Sequence, residues 1–381
     1  MSGTAIAVES ADGGLLSRFG SRPPPAARRV MAAAMHIADL RHRLRALGAL
    51  PVHEDRVLRR WAMGLPQEGG RRQLQHFLPQ ALRAELPALV DELAGLARLH
   101  SQHPGEDGSA RLLVALRDGQ QVESVLLPRG GLCVSSQVGC AVGCVFCMTG
   151  QGGLVRQLGS AEIVAQVVLA RALRPVNKVV FMGMGEPAHN LDAVMEAVQL
   201  LGTGGGIGHK NLVFSTVGDP RVFERLHGLG PGEVKPALAL SLHTTLAAKR
   251  QTLLPRAPRF DPDALVAAGE AYARATGYPI QYQWTLIEGV NDGDDEIEGI
   301  VRLLTGKYAL MNLIPYNVVD GLAFRRPAWE RAAEIARTLH RRGVLTKLRH
   351  SAGQDVDAGC GQLRARAAAP AGRIPIAAAP G

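Results

Sequence analysis

Cysteine is scarce in this 381-residue chain: there are five, and four lie within the single segment LCVSSQVGCAVGCVFC as Cys133, Cys140, Cys144 and Cys147. Cys360 stands apart in GQDVDAGCGQL. The start, MSGTAIAVES, lacks the basic residues and long apolar run of a secretory signal, so a disulfide framework is excluded. No run of eighteen apolar residues occurs, which excludes a membrane-spanning helix. A closed zinc site usually needs a second Cys/His pair beside its C-x-x-C knuckle, and none is visible. What remains is a cytoplasmic globular chain, 46% hydrophobic and 20% charged, long enough for one large domain or two to three smaller ones.

The charge that is present is unbalanced: 43 Lys+Arg face 34 Asp+Glu, and the pI is about 9.7. Much of the excess is arginine near the N-terminus, at positions 28, 29, 41, 43, 45, 56, 59, 60, 71 and 72. Arginine binds phosphate bidentately, so a nucleic acid is the expected partner. Solvated helix faces are the alternative.

Cys140, Cys144 and Cys147 are spaced C-x-x-x-C-x-x-C. Three thiolates on one short loop can hold three irons of a [4Fe–4S] cluster, which normally takes four cysteines. With no fourth in register, one iron is left open for a small molecule. That pattern points to a radical enzyme that cleaves S-adenosylmethionine, and it leaves two thiols, Cys133 and Cys360, to be explained.

Residues 1–29, rich in Gly, Pro, Ala and Ser, read as a flexible tail. Helical spacing of Leu40, Leu44 and Leu47, then Val57, Leu58 and Trp61, then Leu89, Leu93, Leu96 and Leu99 predicts a small helical accessory domain over 30–100. SQHPGEDG at 101–108 reads as a linker. RLLVAL and QVESVLL around Asp118-Gly119 form a predicted β-hairpin, so that 101–131 is linker and hairpin leading into the Cys loop. Strand-like runs follow at 132–136, 178–183, 211–216, 236–243, 280–287 and 309–315, with TKLRH at 346–350 as a further candidate. Helices intervene, with start signals at Ser160 and at Asp261-Pro262. Serial βα units imply an α/β fold with a parallel sheet and right-handed crossovers. Chemistry-bearing residues follow nearly every strand, so a partial (β/α)6 barrel over 132–366 is expected rather than a doubly wound sheet. An Ala/Pro-rich tail closes the chain at 367–381.

KVVFMGMGEPAHN superficially matches a dinucleotide fingerprint. Glu186 would push a carboxylate toward a pyrophosphate, however, and is better suited to accept hydrogen bonds from an ammonium group. GTGGGIGHK at 202–210 lacks the G-K-[ST] of a P-loop and reads as a plain loop.

Taken together, VESVLLP, LCVSSQVGCAVGCVFC, GMGEP, FSTVG, LSLH, EGVND, NLIPYN and GQDVDAGCGQL resemble the RlmN/Cfr family of radical S-adenosylmethionine RNA methyltransferases, over about Gly105 to Leu363. The resemblance implies that Cys140, Cys144 and Cys147 ligate the [4Fe–4S] cluster. It implies that Gly185, Glu186, Ser215, Ser241, Leu242, His243 and Asn317 contact S-adenosylmethionine. Cys360 resembles the cysteine that carries a methyl group, Cys133 its thiol partner and Glu123 the catalytic carboxylate. From the residues alone, Glu123 could equally be an exposed hairpin residue, and Ser241 and His243 strand-end hydrogen-bonding groups.

The implied mechanism uses both spare thiols. Cys360 takes the methyl group of one S-adenosylmethionine. Reductive cleavage of a second yields a radical that removes a hydrogen from that methyl, and the resulting methylene adds to an adenine ring carbon. A base removes the ring proton. Cys133 then attacks the Cys360 sulfur, releasing methylated RNA and leaving a transient disulfide. C2 is the expected carbon, favoured by the SSQVGC stretch, with C8 the alternative; an RNA-binding protein with a structural cluster is the reading from another class. RNA (23S rRNA or tRNA), an electron donor such as flavodoxin or ferredoxin, and a monomeric state are the expected associations. The chain departs from the family at TTLAAKRQTLLPRAPRF after LSLH and in its N-terminal region, which leaves the RNA target open.

Overall fold

The computed structural model describes residues 34–69, 74–319 and 321–365. The predicted tails at 1–29 and 367–381, with Arg28, Arg29, Arg71 and Arg72, lie outside them. Four helices come first: α1 (Ile37–Ala46), α2 (Pro51–Ala62), the short α3 (Leu74–Phe77) and α4 (Gln80–Ala94). An antiparallel meander follows in β1 (Ala97–Pro104), β2 (Ala110–Leu116) and β3 (Gln121–Leu127), and then β4 (Gly131–Cys133). A two-stranded ribbon of β5 (Gln137–Gly139) and β6 (Leu154–Gln157) frames the Cys loop, with a one-turn α5 (Met148–Gln151) between them.

From β4 onward the sheet is parallel, continuing through β7 (Lys178–Phe181), β8 (Leu212–Thr216), β9 (Ala237–Ser241), β10 (Ile280–Leu286), β11 (Ala309–Pro315) and β12 (Thr346–Leu348). The crossovers carry α6 (Ser160–Leu173), α7 (Leu191–Thr203), α8 (Pro220–His227), α9 (Ala247–Leu253) with α10 (Pro262–Thr276), α11 (Asp294–Leu304) and α12 (Trp329–Arg341). All six expected strands form, and TKLRH supplies the seventh. Asp261 caps α10 by accepting the Asp263 N–H, with Pro262 in the first turn. Gly159, not Ser160, holds the cap position of α6; there Glu162 accepts the Gly159 N–H at 2.8 Å.

The linker expected at 101–108 is instead the end of β1 and its turn into β2, and 97–100, expected as the end of the helical segment, begins the same strand. ARLHSQHP has almost no buried alternation, because β1 is the outer strand of the sheet; its backbone pairing with β2, not its side chains, makes it a strand. The N-terminal helices share one apolar core with the barrel: Leu40, Leu44, Val57 and Leu58 belong with Val164, Val198 and Leu238. Gly159 permits this closeness, since a Cβ there would lie 2.0 Å from the Met35 carbonyl.

Side-chain alternation gives the two faces of the barrel sheet different fates. Val179, Phe181, Phe214, Leu238, Leu240, Tyr282 and Trp284 are buried beneath the helices. Lys178, Met182, Ser215, Ser241, Gln281, Gln283, Leu310 and Ile314, on the concave face, are only half-buried. A closed eight-stranded barrel packs its interior with side chains. This open one keeps its concave side wet, which leaves room for a substrate.

Candidate active site

The Cys loop is fixed by backbone. Gly139 has φ +78°, and a Cβ there would lie 2.0 Å from the Gly153 carbonyl, so only glycine lets the ribbon close. The Cys140 N–H donates to Gly153 O (2.9 Å), Cys147 N–H to Cys144 O (3.1 Å), and Val145 N–H to Leu253 O (3.1 Å) at the end of α9. Burial pushes the Cys140 thiol up to about 12, with Glu186 and Cys147 adding to the rise. Burial, then Cys147 and Cys140, raise Cys144 well above its ordinary value. Burial raises Cys147 too.

Three thiols that disfavour one another's ionisation form a donor set matched to a strong cation. Among the described residues no three Cys, His, Asp or Glu side chains converge on one point as around a single ion. A cubane cluster spreads its ligands over separate irons, so a [4Fe–4S] cluster on Cys140, Cys144 and Cys147 fits this loop better than a mononuclear metal.

Glu186 lies next to the loop. It is 5% exposed, accepts N–H donors from Ala188 (3.0 Å) and Val217 (3.0 Å), and has no ion-pair partner among the described residues. Burial raises its carboxyl to about 7. A buried carboxylate without its own cation suits a ligand ammonium. Gly185, at φ +105°, brings the chain past Gln137, whose Oε1 accepts the Glu186 N–H at 2.7 Å. Ser215 and Ser241 face the concave side. Leu242, between Ser241 and His243, is wholly buried.

His243 is buried in a left-handed conformation (φ 60°). Its Nδ1 accepts the Thr285 N–H at 2.9 Å, and its ring meets Phe146 of the Cys loop edge-on at 4.9 Å. Burial, then Arg250, lower its pKa to about 3, so the imidazole is neutral with its proton on Nε2. Arg250 was not anticipated. Buried on α9, it donates to the carbonyls of Val217 and Ser241, while its Nε is enclosed without a partner. Burial lowers its pKa, and Cys144 and Glu186 draw it back up. The available signal was an arginine in register with Leu253 and Leu254, on what is otherwise an apolar helix face.

The two spare thiols are coupled electrostatically. Burial pushes Cys133 up to about 12, and the neighbouring Cys360 adds to the rise. The protein packed around Cys360, then Cys147, raise it to about 11, although Cys360 is exposed to solvent. Both are free thiols. The segment carrying Cys360 is a strap. Thr149 Oγ1 donates to Leu363 O (2.6 Å) and Met148 N–H to Gly361 O (2.8 Å), tying it to the Cys loop. Asn317 donates to the Cys360 carbonyl (2.9 Å) and Ser351 Oγ (2.9 Å) and accepts from Arg326 (3.0 Å), so its amide is engaged in holding the strap.

Glu123 is not an exposed hairpin residue. It is 1% exposed, paired with Arg111, and accepts the strap N–H groups of Arg364 (2.7 Å) and Ala365 (3.0 Å). The strap therefore links Glu123, Cys360, Cys133 and the Cys loop in one constellation.

An open parallel barrel with three thiols on a loop after its first strand and an unpaired carboxylate after its second defines a radical S-adenosylmethionine enzyme. Consistent with this, residues 134–304 match the Radical SAM superfamily. The chain is 74% identical over 339 residues to a probable RNA methyltransferase of Leptothrix cholodnii, covering 89% of this chain and 97% of that one. It is 75% identical over 333 residues to a probable RNA methyltransferase of Methylibium petroleiphilum, covering 87% and 94%. A crystal structure of a radical SAM methyltransferase from Sphaerobacter thermophilus superposes with a TM-score of 0.75 at 36% identity, over 87% of this chain and 98% of that one. The chain belongs to the radical S-adenosylmethionine methyltransferases, enzymes that carry a [4Fe–4S] cluster and use S-adenosylmethionine. Among the described residues no helix is long and apolar enough to cross a membrane.

Proposed function

We propose that this enzyme methylates a ring carbon of adenosine in RNA, at C2, through a methylated Cys360 and a transient Cys133–Cys360 disulfide. The observation that carries the reading is a pair of free thiols that act on one another, with Cys360 raising Cys133 and the Cys360 segment tied by hydrogen bonds to the Cys loop. A methyl transfer that needed only direct attack on the sulfonium would have no use for the second thiol. The names of the relatives support RNA as the substrate.

The cluster and S-adenosylmethionine, when bound, supply the methyl group and the one-electron cleavage that starts the radical chemistry. Cys140, Cys144 and Cys147 hold the cluster. Glu186 receives the ammonium, with Gly185, Ser215, Ser241, Leu242 and His243 forming the rest of the cofactor pocket and Asn317 holding the strap beside it. Cys360 accepts the methyl group as thiolate. Glu123 takes the adenine ring proton once the strap N–H groups leave it. With the unpaired electron of the ring adduct returned to the cluster when it is bound, Cys133, as thiolate, attacks the Cys360 sulfur; the electron pair of the broken carbon–sulfur bond stays with the methylene, which takes a proton to become the methyl group, and the disulfide is reopened by two electrons from an external dithiol. A flavodoxin or ferredoxin in the cytoplasm would deliver the electrons for cleavage.

Nucleoside mass spectrometry of rRNA and tRNA from a deletion strain tests the assignment: loss of 2-methyladenosine is expected. Loss of 8-methyladenosine instead would move the chemistry to C8, and an unchanged nucleoside profile would refute RNA methylation.

Glu186 gives a pH signature. Its raised carboxyl is mostly protonated below pH 7 in the free protein, whereas a docked ammonium favours the ionised form. Binding of S-adenosylmethionine near pH 6.5 is therefore expected to release a proton, and affinity to fall as pH drops further. Calorimetry in two buffers of different ionisation enthalpy measures the release, and Glu186→Gln should abolish it. In the ligand-free protein the sign is the reverse: the stability tied to this group is complete below the ordinary carboxylate value and declines as pH rises to about 7.

A further inference from the structure

The N-terminal arginines expected to engage phosphate are largely committed elsewhere. Arg41 and Arg45 pair with buried Glu54, Arg43 with Glu92, and Arg56 and Arg60 bond to backbone carbonyls of the loop after α2. The concave side of the barrel, in contrast, holds cations that no part of the chemistry above uses. Lys178 opens β7, half-buried. Its pKa is lowered by burial, then by Arg349 and Lys347; those two belong to the outer strand β12 and the residue after it, where Lys347 lies opposite Asn312 and the Arg349 N–H donates to the Leu313 carbonyl.

Lys347 and Arg349 are exposed, and none of the three pairs with a carboxylate among the described residues; Arg349 reaches only the Asn312 amide oxygen, at 3.4 Å. Cations gathered without a counter-charge beside an open channel attract an anion. The register continues the polar lining inward: Lys347 lies opposite Asn312, Asn312 opposite Gln283, and Gln283 opposite Ser241. Directly after Arg349, His350 stacks on Trp329 with ring centroids 4.1 Å apart and planes 23° apart. Trp329 is 42% exposed, whereas Trp61 and Trp284 are buried. Cations beside an exposed aromatic platform are the two components of single-strand nucleic-acid binding.

We propose that the open β12 edge of the barrel seats the RNA strand, with Lys178, Lys347 and Arg349 holding backbone phosphate and the Trp329–His350 stack receiving a base. This rests on RNA being the substrate. The polar row of Lys347, Asn312, Gln283 and Ser241 then leads from the edge toward the cofactor pocket, where the target adenine must arrive.

The test is the salt dependence of binding of a short, labelled, adenosine-containing single-stranded RNA to the cluster-loaded protein. The triple variant K178Q/K347Q/R349Q should flatten the slope of log affinity against log salt by about 2, at roughly 0.7 for each single-strand phosphate that goes unneutralised. If the half-buried Lys178 change impairs folding, judged by iron content and melting, K347Q/R349Q alone should flatten it by about 1.4. W329A should weaken binding by roughly five- to a hundredfold at fixed salt without altering the slope, and W329F should restore it. A slope unchanged in the cation variants, or W329A binding like wild type, overturns the proposal. Wild-type protein that failed to bind RNA at all would sink the RNA reading itself and not only this edge.

Discussion

Cys133→Ala is expected to trap the enzyme on its own RNA. In the proposed mechanism Cys360 acts first, as methyl acceptor, and Cys133 acts last, so losing Cys133 should spare methyl loading, hydrogen abstraction and addition to the ring. What disappears is the thiolate that frees the product. The variant should accumulate a covalent protein–RNA species that survives denaturing gel electrophoresis, whereas wild type should not. Cys360→Ala should retain no labelled methyl and give no adduct. Glu123→Ala should stall where Cys133→Ala does, because a ring that keeps its proton cannot expel the sulfur. The geometry sharpens this: burial, the largest cause of the raised Cys133 thiol, persists in the adduct, so its thiolate is scarce at neutral pH and release of the adduct should quicken as pH rises. Turnover by Cys133→Ala at the wild-type rate without a crosslink would remove Cys133 from the mechanism.

The second large effect falls on the loop. Cys140→Ala, Cys144→Ala or Cys147→Ala should each abolish both the brown colour and the cleavage of S-adenosylmethionine, while the barrel remains folded. The loop is held by backbone bonds to Gly153 and Leu253 and by Gly139, none of which needs a thiol. Iron analysis and circular dichroism of the anaerobically reconstituted variants separate the two consequences. A triple variant that kept its full iron content would show that the cluster is held elsewhere.

The barrel was legible in the sequence because each of its strands is an apolar run bounded by glycine, proline or a polar turn, and because helix signals fall between them. β1 was not legible: as an outer strand with mostly exposed side chains, it carries no alternation. The Cys loop, GMGEP and the Cys360 segment could be found by motif. What motif could not convey was their mutual placement. Glu123 sits in a hairpin that looks solvent-facing in isolation, and it is buried only because residues 364–365 fold back onto it. Asn317 matches a cofactor position, yet its amide is occupied with the Cys360 carbonyl. Arg250 lies in the stretch where the chain departs from its family pattern, so the mismatch concealed a residue that is buried beside the site. Composition also counts the N-terminal arginines without showing that Arg41, Arg43 and Arg45 are already in ion pairs.

The strap also has a consequence for the order in which the enzyme comes into being. Its bonds to Glu123 span 241 and 242 residues of sequence, and its bond to Thr149 spans 214. A ribosome adds roughly 5–20 residues per second, and structure can form behind it as the chain emerges. The Cys loop, the cofactor strands and Cys133 can therefore be in place well before Cys360 is even translated. On the proposed roles, a nascent chain arrested short of residue 360 would hold the cluster loop but no thiol to carry a methyl group, so the proposed acceptor is the last essential component to be delivered.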